Sequence, residues 1–362
     1  MKKSYFLMAA AATMFAACSQ SDVLNEVQVQ DEAQAIGFST YANKATRAEN
    51  STAGTTTGLY SHHEIFKVWG YKNTYTEGFV FNGAEVTGDG TNWSYSDKKY
   101  WDMAATSYQF YAAAPANAAW SLIQVNGAVQ DDDYFRLVNF ALTGKSLTST
   151  SLENSFKGSA DVDLMIASPC KVERAKFGTA NKVQLNFNHI LSRLNVTVKK
   201  GTNIASETVK ITSFKVGNLK KAGNFDESAN LGGDYLTVGT TKRWETADYK
   251  YVIEGNKLDD VSTTSKYIFQ ALVIPQAAAW ESVKRDGTST EVAPYFTIEY
   301  TIGGEPFSAT FNLSDAFGDN DGMALCEGYQ NTLNLTIDAE TIVFAADVYE
   351  WADKNGNDFD IK

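Results

Sequence analysis

Three histidines, an acidic triplet and two acidic glycine-containing stretches are the places where this chain could do chemistry. His62, His63 and Glu64 are consecutive, and imidazole and carboxylate are zinc-ligand types. Neighbours on a strand point in opposite directions, and no third ligand is in sight. The trio is therefore read as exposed turn residues, and His189 as a packed side chain bonded to backbone. Calcium is the next chemistry to weigh. In "DAFGDNDGMALCE", taking Gly322 as the obligatory loop glycine puts Phe317 at the first ligand position and Gly328 at the last, so the EF-hand pattern fails. The stretch "DKNGNDFD" is acidic and contains a glycine, which leaves a loose calcium site open. Asp131, Asp132 and Asp133 read as a solvated turn. No GxSxG elbow, Walker loop, HExxH or CxxC is present. No enzyme, cofactor or metal centre is expected. Cys170 and Cys326 are read as buried free thiols. Trp93, Tyr95, Trp101 and Trp120 could make a sugar platform, but aromatic residues in strands usually face inward, so most are read as core.

Cys18 has the most distinctive setting of the three cysteines. Lys2 and Lys3 precede an apolar run, "YFLMAAAATMFAA", that is too short to span a bilayer. The run ends in "FAAC", which resembles a lipobox. Residues 1–17 then form a lipoprotein signal peptide, and Cys18 supplies a thiol for a diacylglycerol anchor. Each buried methylene of such an anchor contributes about 0.8 kcal/mol, so two or three chains hold a soluble body on a membrane. Residues 18–35, polar and poor in aromatics, read as a tether.

The body that follows is large enough for two cores. The chain has 362 residues, 44% hydrophobic and 13% aromatic, with a net charge of −12. Loss of residues 1–17 would remove Lys2 and Lys3 and make it more acidic. Such a surface repels phosphate backbones, so nucleic acid is not an expected partner. From Ile36 onward, strand-like segments recur with turn residues between them. "IGFSTYA" alternates, with Ile36 and Phe38 on one side. The Thr-, Ala-, Gly- and Asn-rich "NKATRAENSTAGTTTG" follows and reads as an exposed, mobile loop. "YFTIEYTIGGEPFSATFNL" reads as a hairpin around Gly303-Gly304. "AFGDNDGMALC" and "AAAWESV" are the short helical candidates. Paired echoes, such as "YQFYAAAP" with "YIFQALVIPQ", suggest two tandem sandwiches of antiparallel sheets, residues 36–180 and 181–362.

The ordered set of segments resembles the Bacteroidota fimbrillin-like proteins. "KKYWDMAATSYQFYAAAP", "DLMIA", "VQLNFNHILSRLNVTV", "YIFQALVIPQ", "LCEGYQNTLNLTI" and "IVFAADVYEW" carry the resemblance, which spans Ile36 to Trp351. Asp102 stands where the family often has proline, and Cys326 where it usually has a small residue. The resemblance implies an all-β fold of two transthyretin-like sandwich domains, a lipid anchor in the outer membrane, surface exposure and a place in a fimbrium. It also implies cutting by an arginine-specific protease after a strand near the N-terminus, here between Arg47 and Ala48. Other fimbrial subunits are the implied partners, with adhesion to a host or bacterial surface ligand.

The residues make this mechanism physically sound. Burial of Ile36 and Phe38 is worth roughly 3–6 kcal/mol. Losing their strand bares an apolar trough and unpaired sheet edges. A strand from a second chain can fill that trough, and a contact between unlike patches propagates as a filament. Near the C-terminus, "NDFDIK" places Phe359 and Ile361 on one face and is the expected donor, within residues 342–362. It could instead be the last strand of its own domain with a frayed tail. The alternative function is a monomeric cell-surface lipoprotein that binds carbohydrate. A third reading is a host-directed adhesin at a filament tip.

Overall fold

The computed structural model describes residues 35–42, 57–73, 78–125, 133–153, 155–178, 182–228, 243–246, 251–276, 294–317, 325–339 and 342–350. The described chain begins with β1 (Phe38–Ala42), a short helix α1 (Thr57–His62), β2 (Ile65–Lys72), β3 (Phe79–Gly88) and β4 (Trp93–Ser94). Next come β5 (Ser107–Ala114), β6 (Trp120–Ile123), β7 (Tyr134–Ala141), β8 (Met165–Glu173) and β9 (Val183–His189). The remainder holds β10 (Ser192–Lys200), β11 (Val209–Leu219), β12 (Ala222–Asp226), β13 (Trp244–Thr246), β14 (Tyr251–Glu254) and β15 (Lys266–Val273). It closes with β16 (Tyr295–Ile302), β17 (Glu305–Asn312), a short α2 (Leu313–Phe317), β18 (Tyr329–Ile337) and β19 (Ile342–Glu350). The fold is all-β, as expected.

A seven-stranded sheet has the order β1-β9-β8-β5-β2-β3-β4. Its central strand β5, "SYQFYAAA", is buried at every position. Both faces of this strand are therefore apolar. Tyr108, Phe110, Ala112 and Ala114 join one cluster, and Tyr111 and Ala113 join another. The sheet curls until its ends meet: Trp93 on β4 donates from Nε1 to Thr40 Oγ1 on β1 at 3.0 Å. The first cluster lies inside the curl. The second is covered by the sheet β13-β12-β7-β6, through Trp120, Phe135, Phe225 and Trp244.

Two further sheets, β15-β10-β18-β19 and β14-β11-β16-β17, face each other as a sandwich. Leu194, Val196, Leu333 and Leu335 meet Phe214, Val216, Phe296 and Ile298 in its core. The hairpin turn of β16 and β17 falls at Gly303-Gly304 as expected. Both glycines have positive φ, +60° and +98°, which a two-residue turn of this hand requires.

One departure concerns pairing. The sheets are not purely antiparallel, because β1 runs parallel to β9 and β10 runs parallel to β18. Long intervening chain makes such crossovers feasible, and local alternation carries no sign of them. Backbone pairing also continues past residue 181: β9 hydrogen-bonds into the seven-stranded sheet, and β12 pairs with β7. Of the expected helical pieces, "AFGDNDGMALC" overlaps α2, while residues 318–324 and "AAAWESV" lie outside the described residues.

Candidate functional site

The first strand and the trough beneath it form the site. Ile36 and Phe38 are each only 1% exposed. The Phe38 ring meets four others edge-on: Phe66 at 6.3 Å, Phe81 at 5.4 Å, Tyr95 at 5.8 Å and Phe110 at 5.9 Å between centroids. Edge-to-face contacts suit the ring quadrupoles and add to the area term. The trough has room for these rings partly because β2 carries Gly70, whose added Cβ would lie 2.8 Å from the Phe110 ring. Ile36 is held by backbone as well. Its N–H donates to Lys99 O at 2.9 Å, and its carbonyl accepts from Tyr95 Oη at 2.7 Å.

On its hydrogen-bonded side β1 has one partner, β9, with Phe38 opposite Val183 and Ala42 opposite Phe187. It is a terminal strand of the sheet order, so its removal would break one ladder and expose the β9 edge. The geometry combines a deeply inserted apolar row with one strand ladder, to β9, and a short backbone contact of Ala35 and Ile36 with Lys99 and Tyr100. Cys18, Arg47, Ala48, Phe359 and Ile361 all lie outside the described residues.

A second constellation sits at the end of this trough, and sequence reasoning missed it. The imidazoles of His62 and His63 are not exposed turn residues: they are 2% and 4% exposed. The strand rule does not apply to them, because His62 closes α1 and His63 follows it. Glu64 is exposed, as expected. His189 donates from Nδ1 to Asp163 Oδ2, a buried side-chain partner rather than backbone. His62 Nδ1 lies 3.7 Å from the same oxygen, and the His62 and His189 rings are 5.1 Å apart. Burial works to raise the Asp163 carboxyl, but His189, its hydrogen bond and the other two imidazoles outweigh this and hold it below the ordinary value. Burial depresses His63 from 6.5 to about 4, despite the opposing pull of Asp163. No group of three metal-ligand side chains suited to an ion occurs among the described residues. Strand pairing brings the partners together: Asp163 precedes β8, His189 ends β9, and Met165 pairs with His189.

Other expectations resolve individually. Asp133 is buried, not solvated; it accepts from Tyr71 Oη and from the Val125 amide, each at 3.0 Å. Its neighbours Asp131 and Asp132, and the stretch "DKNGNDFD", lie outside the described residues. Cys170 and Cys326 are free thiols, but Cys170 is only partly buried. Trp93, Trp101 and Trp120 are buried in the cores, and Tyr95 packs against the Phe38 cluster.

The fimbrillin-like family matches residues 46–351. Among solved structures, a fimbrial protein from Bacteroides vulgatus is similar at 15% identity and a TM-score of 0.48, over 88% of this chain and 100% of that one. A candidate cell adhesion protein from Bacteroides uniformis is similar at 15% identity and a TM-score of 0.45, over 89% and 99%. No curated protein matches. With most of its length matched by one family, this chain belongs to the fimbrillin-like family.

Proposed function

We propose that this chain is a structural or accessory subunit of a surface fimbrium, built by exchange of its first strand. It is exported as a lipoprotein precursor acylated at Cys18 and carried to the outer membrane. An arginine-specific protease cuts between Arg47 and Ala48, β1 leaves, and a strand of another subunit enters the trough. The C-terminal segment carrying Phe359 and Ile361 is the donor. The subunit is organised as two tandem sandwich units, and the assembled filament serves adhesion to a surface ligand.

Family membership supports the coarse reading, a fimbrial or adhesin-like subunit at the cell surface. One observation supports the finer one: Ile36 and Phe38 fill an aromatic trough from a first segment whose strand, β1, has a single ladder partner, β9. A replacement strand would recover both the backbone bonds and the apolar burial. The carbohydrate-binding alternative loses its platform, since the three indoles are buried. The test is N-terminal sequencing of protein sheared from cells. Ala48 at the front is the expected result. An intact chain that begins at a blocked Cys18 in polymerised material would overturn strand exchange.

A further inference from the structure

β1 and α1, the described elements on either side of residues 43–56, pack against each other. β1 runs toward the His189 end of β9, with Ala42 opposite Phe187. The chain returns in α1, which packs against β1 and ends at His62. Six residues make a helix too short to hold itself. Its docking rests on Leu59, fully buried, on Tyr60, which packs against Trp93 and takes Lys157 on its ring and carbonyl, and on the imidazoles at its end. Three elements therefore converge on one carboxylate: α1 through His62 and His63, the lead-in to β8 through Asp163, and the end of β9 through His189.

We propose that this buried cluster is a latch fixing α1 to the end of β9, so that a cut between β1 and α1 frees β1 alone and leaves the new N-terminal segment docked beside the trough. Its use in assembly rests on the strand-exchange reading above; its existence does not. Without a latch, a cut would loosen both flanks, and β9 would lose support at the moment it becomes an edge.

The latch is sensitive to acid. The groups around it are His62, His63, Asp163 and His189 themselves, with Glu64, Glu85 and Lys157 bordering the adjoining cleft. Lys157 is paired with Glu64 at 2.9 Å. Asp161, two residues before Asp163, is engaged by the amides of Gly144 and Lys145 at 2.7 and 3.1 Å. One buried carboxylate thus faces three imidazoles. Docked, His63 takes up a proton only near pH 4; undocked, it does so near 6.5. Docking is thus unaffected above pH 6.5 and is lost progressively toward pH 4.

Hydrogen exchange of the intact full-length chain tests this, with rates corrected for the intrinsic effect of pH. Amides of residues 57–63 should lose on the order of 100-fold protection between pH 6.5 and 4, while those of β2 and β5 keep theirs. Asp163→Asn should expose the same amides at pH 7.5. Should that variant fail to fold, His63→Gln serves: its profile should be flat across the window. A flat profile in the unaltered protein overturns the latch. The chain cut after Arg47 separates the two proposals. Protection of residues 57–63 that survives the cut supports the latch, whether or not β1 is shed. Retention of β1 under all conditions then counts against strand exchange alone, and loss of protection on cutting overturns the latch.

Discussion

Phe38 concentrates in one ring what the first strand contributes. It touches four aromatic rings at centroid distances from 5.4 to 6.3 Å and is 1% exposed. Truncation removes both its transfer energy and its packing partners. Phe38→Ala should cost about 3–5 kcal/mol in denaturant unfolding, whereas Phe38→Leu should cost under about 2 kcal/mol because most of the volume remains. Equal effects of the two would mean that the trough can collapse around a void. Gly70 acts on the same cluster from below. A Cβ there meets the Phe110 ring at 2.8 Å, so Gly70→Ala should cost about 1–3 kcal/mol by overpacking. The importance of Phe38 was legible in "IGFSTYA", because alternation marks one face for burial. The fate of His62 and His63 was not. Two adjacent polar residues can both be buried only when a helix end and a second element bring them a partner. Asp163, a hundred residues away in sequence, leaves no trace near them.

At the scale of elements, the polar cover on the outer face of β10 and β15 decides how the 142–153 segment lies. Arg193 on β10 is 1% exposed and donates to Asn195 Oδ1, to Gln270 Oε1 and to Glu153 O. Gln270 on β15 in turn donates to Ser149 O at 3.1 Å and Ser151 O at 2.8 Å. The segment is thereby fastened to the sheet by side chains standing in for a further strand. Gln270→Leu should destabilise the protein by about 2–3 kcal/mol, since it strands buried donors and acceptors. Amide exchange across residues 146–153 should rise with it, and a change in stability with unaltered exchange there would refute the assignment. A second tie joins two sheets. Arg243, just before β13, forms a two-pronged pair with Glu327, just before β18. Strand existence was readable throughout, because aromatic and β-branched alternation is a local property. Partner choice was not. The parallel pairs β1 with β9 and β10 with β18 join segments more than a hundred residues apart, and period-two patterning is blind to direction.

At the scale of the whole molecule, the proposed release of β1 has a consequence for assembly. If subunits join by strand exchange as proposed, donor and acceptor surfaces differ, each added subunit presents a fresh copy of the same unfilled trough, and growth does not close on itself. A short peptide that fills the trough should stop growth without altering the subunit. A synthetic peptide of residues 35–42 should therefore hold Arg47-cut, β1-depleted protein in the monomeric state, as read by light scattering. Its potency depends on the ring that enters the aromatic cluster. Loss of about 3 kcal/mol of binding corresponds to more than a 100-fold weaker affinity. The same peptide carrying Phe38→Ala should then inhibit only at concentrations at least about 100-fold higher. An Arg47→Ala subunit should remain monomeric with no peptide present, because its β1 is never released. Equal inhibition by the two peptides would mean that backbone pairing with β9, and not the aromatic trough, governs capture. Polymerisation of the Arg47→Ala subunit at the wild-type rate would show that subunits join through a surface other than the one β1 occupies.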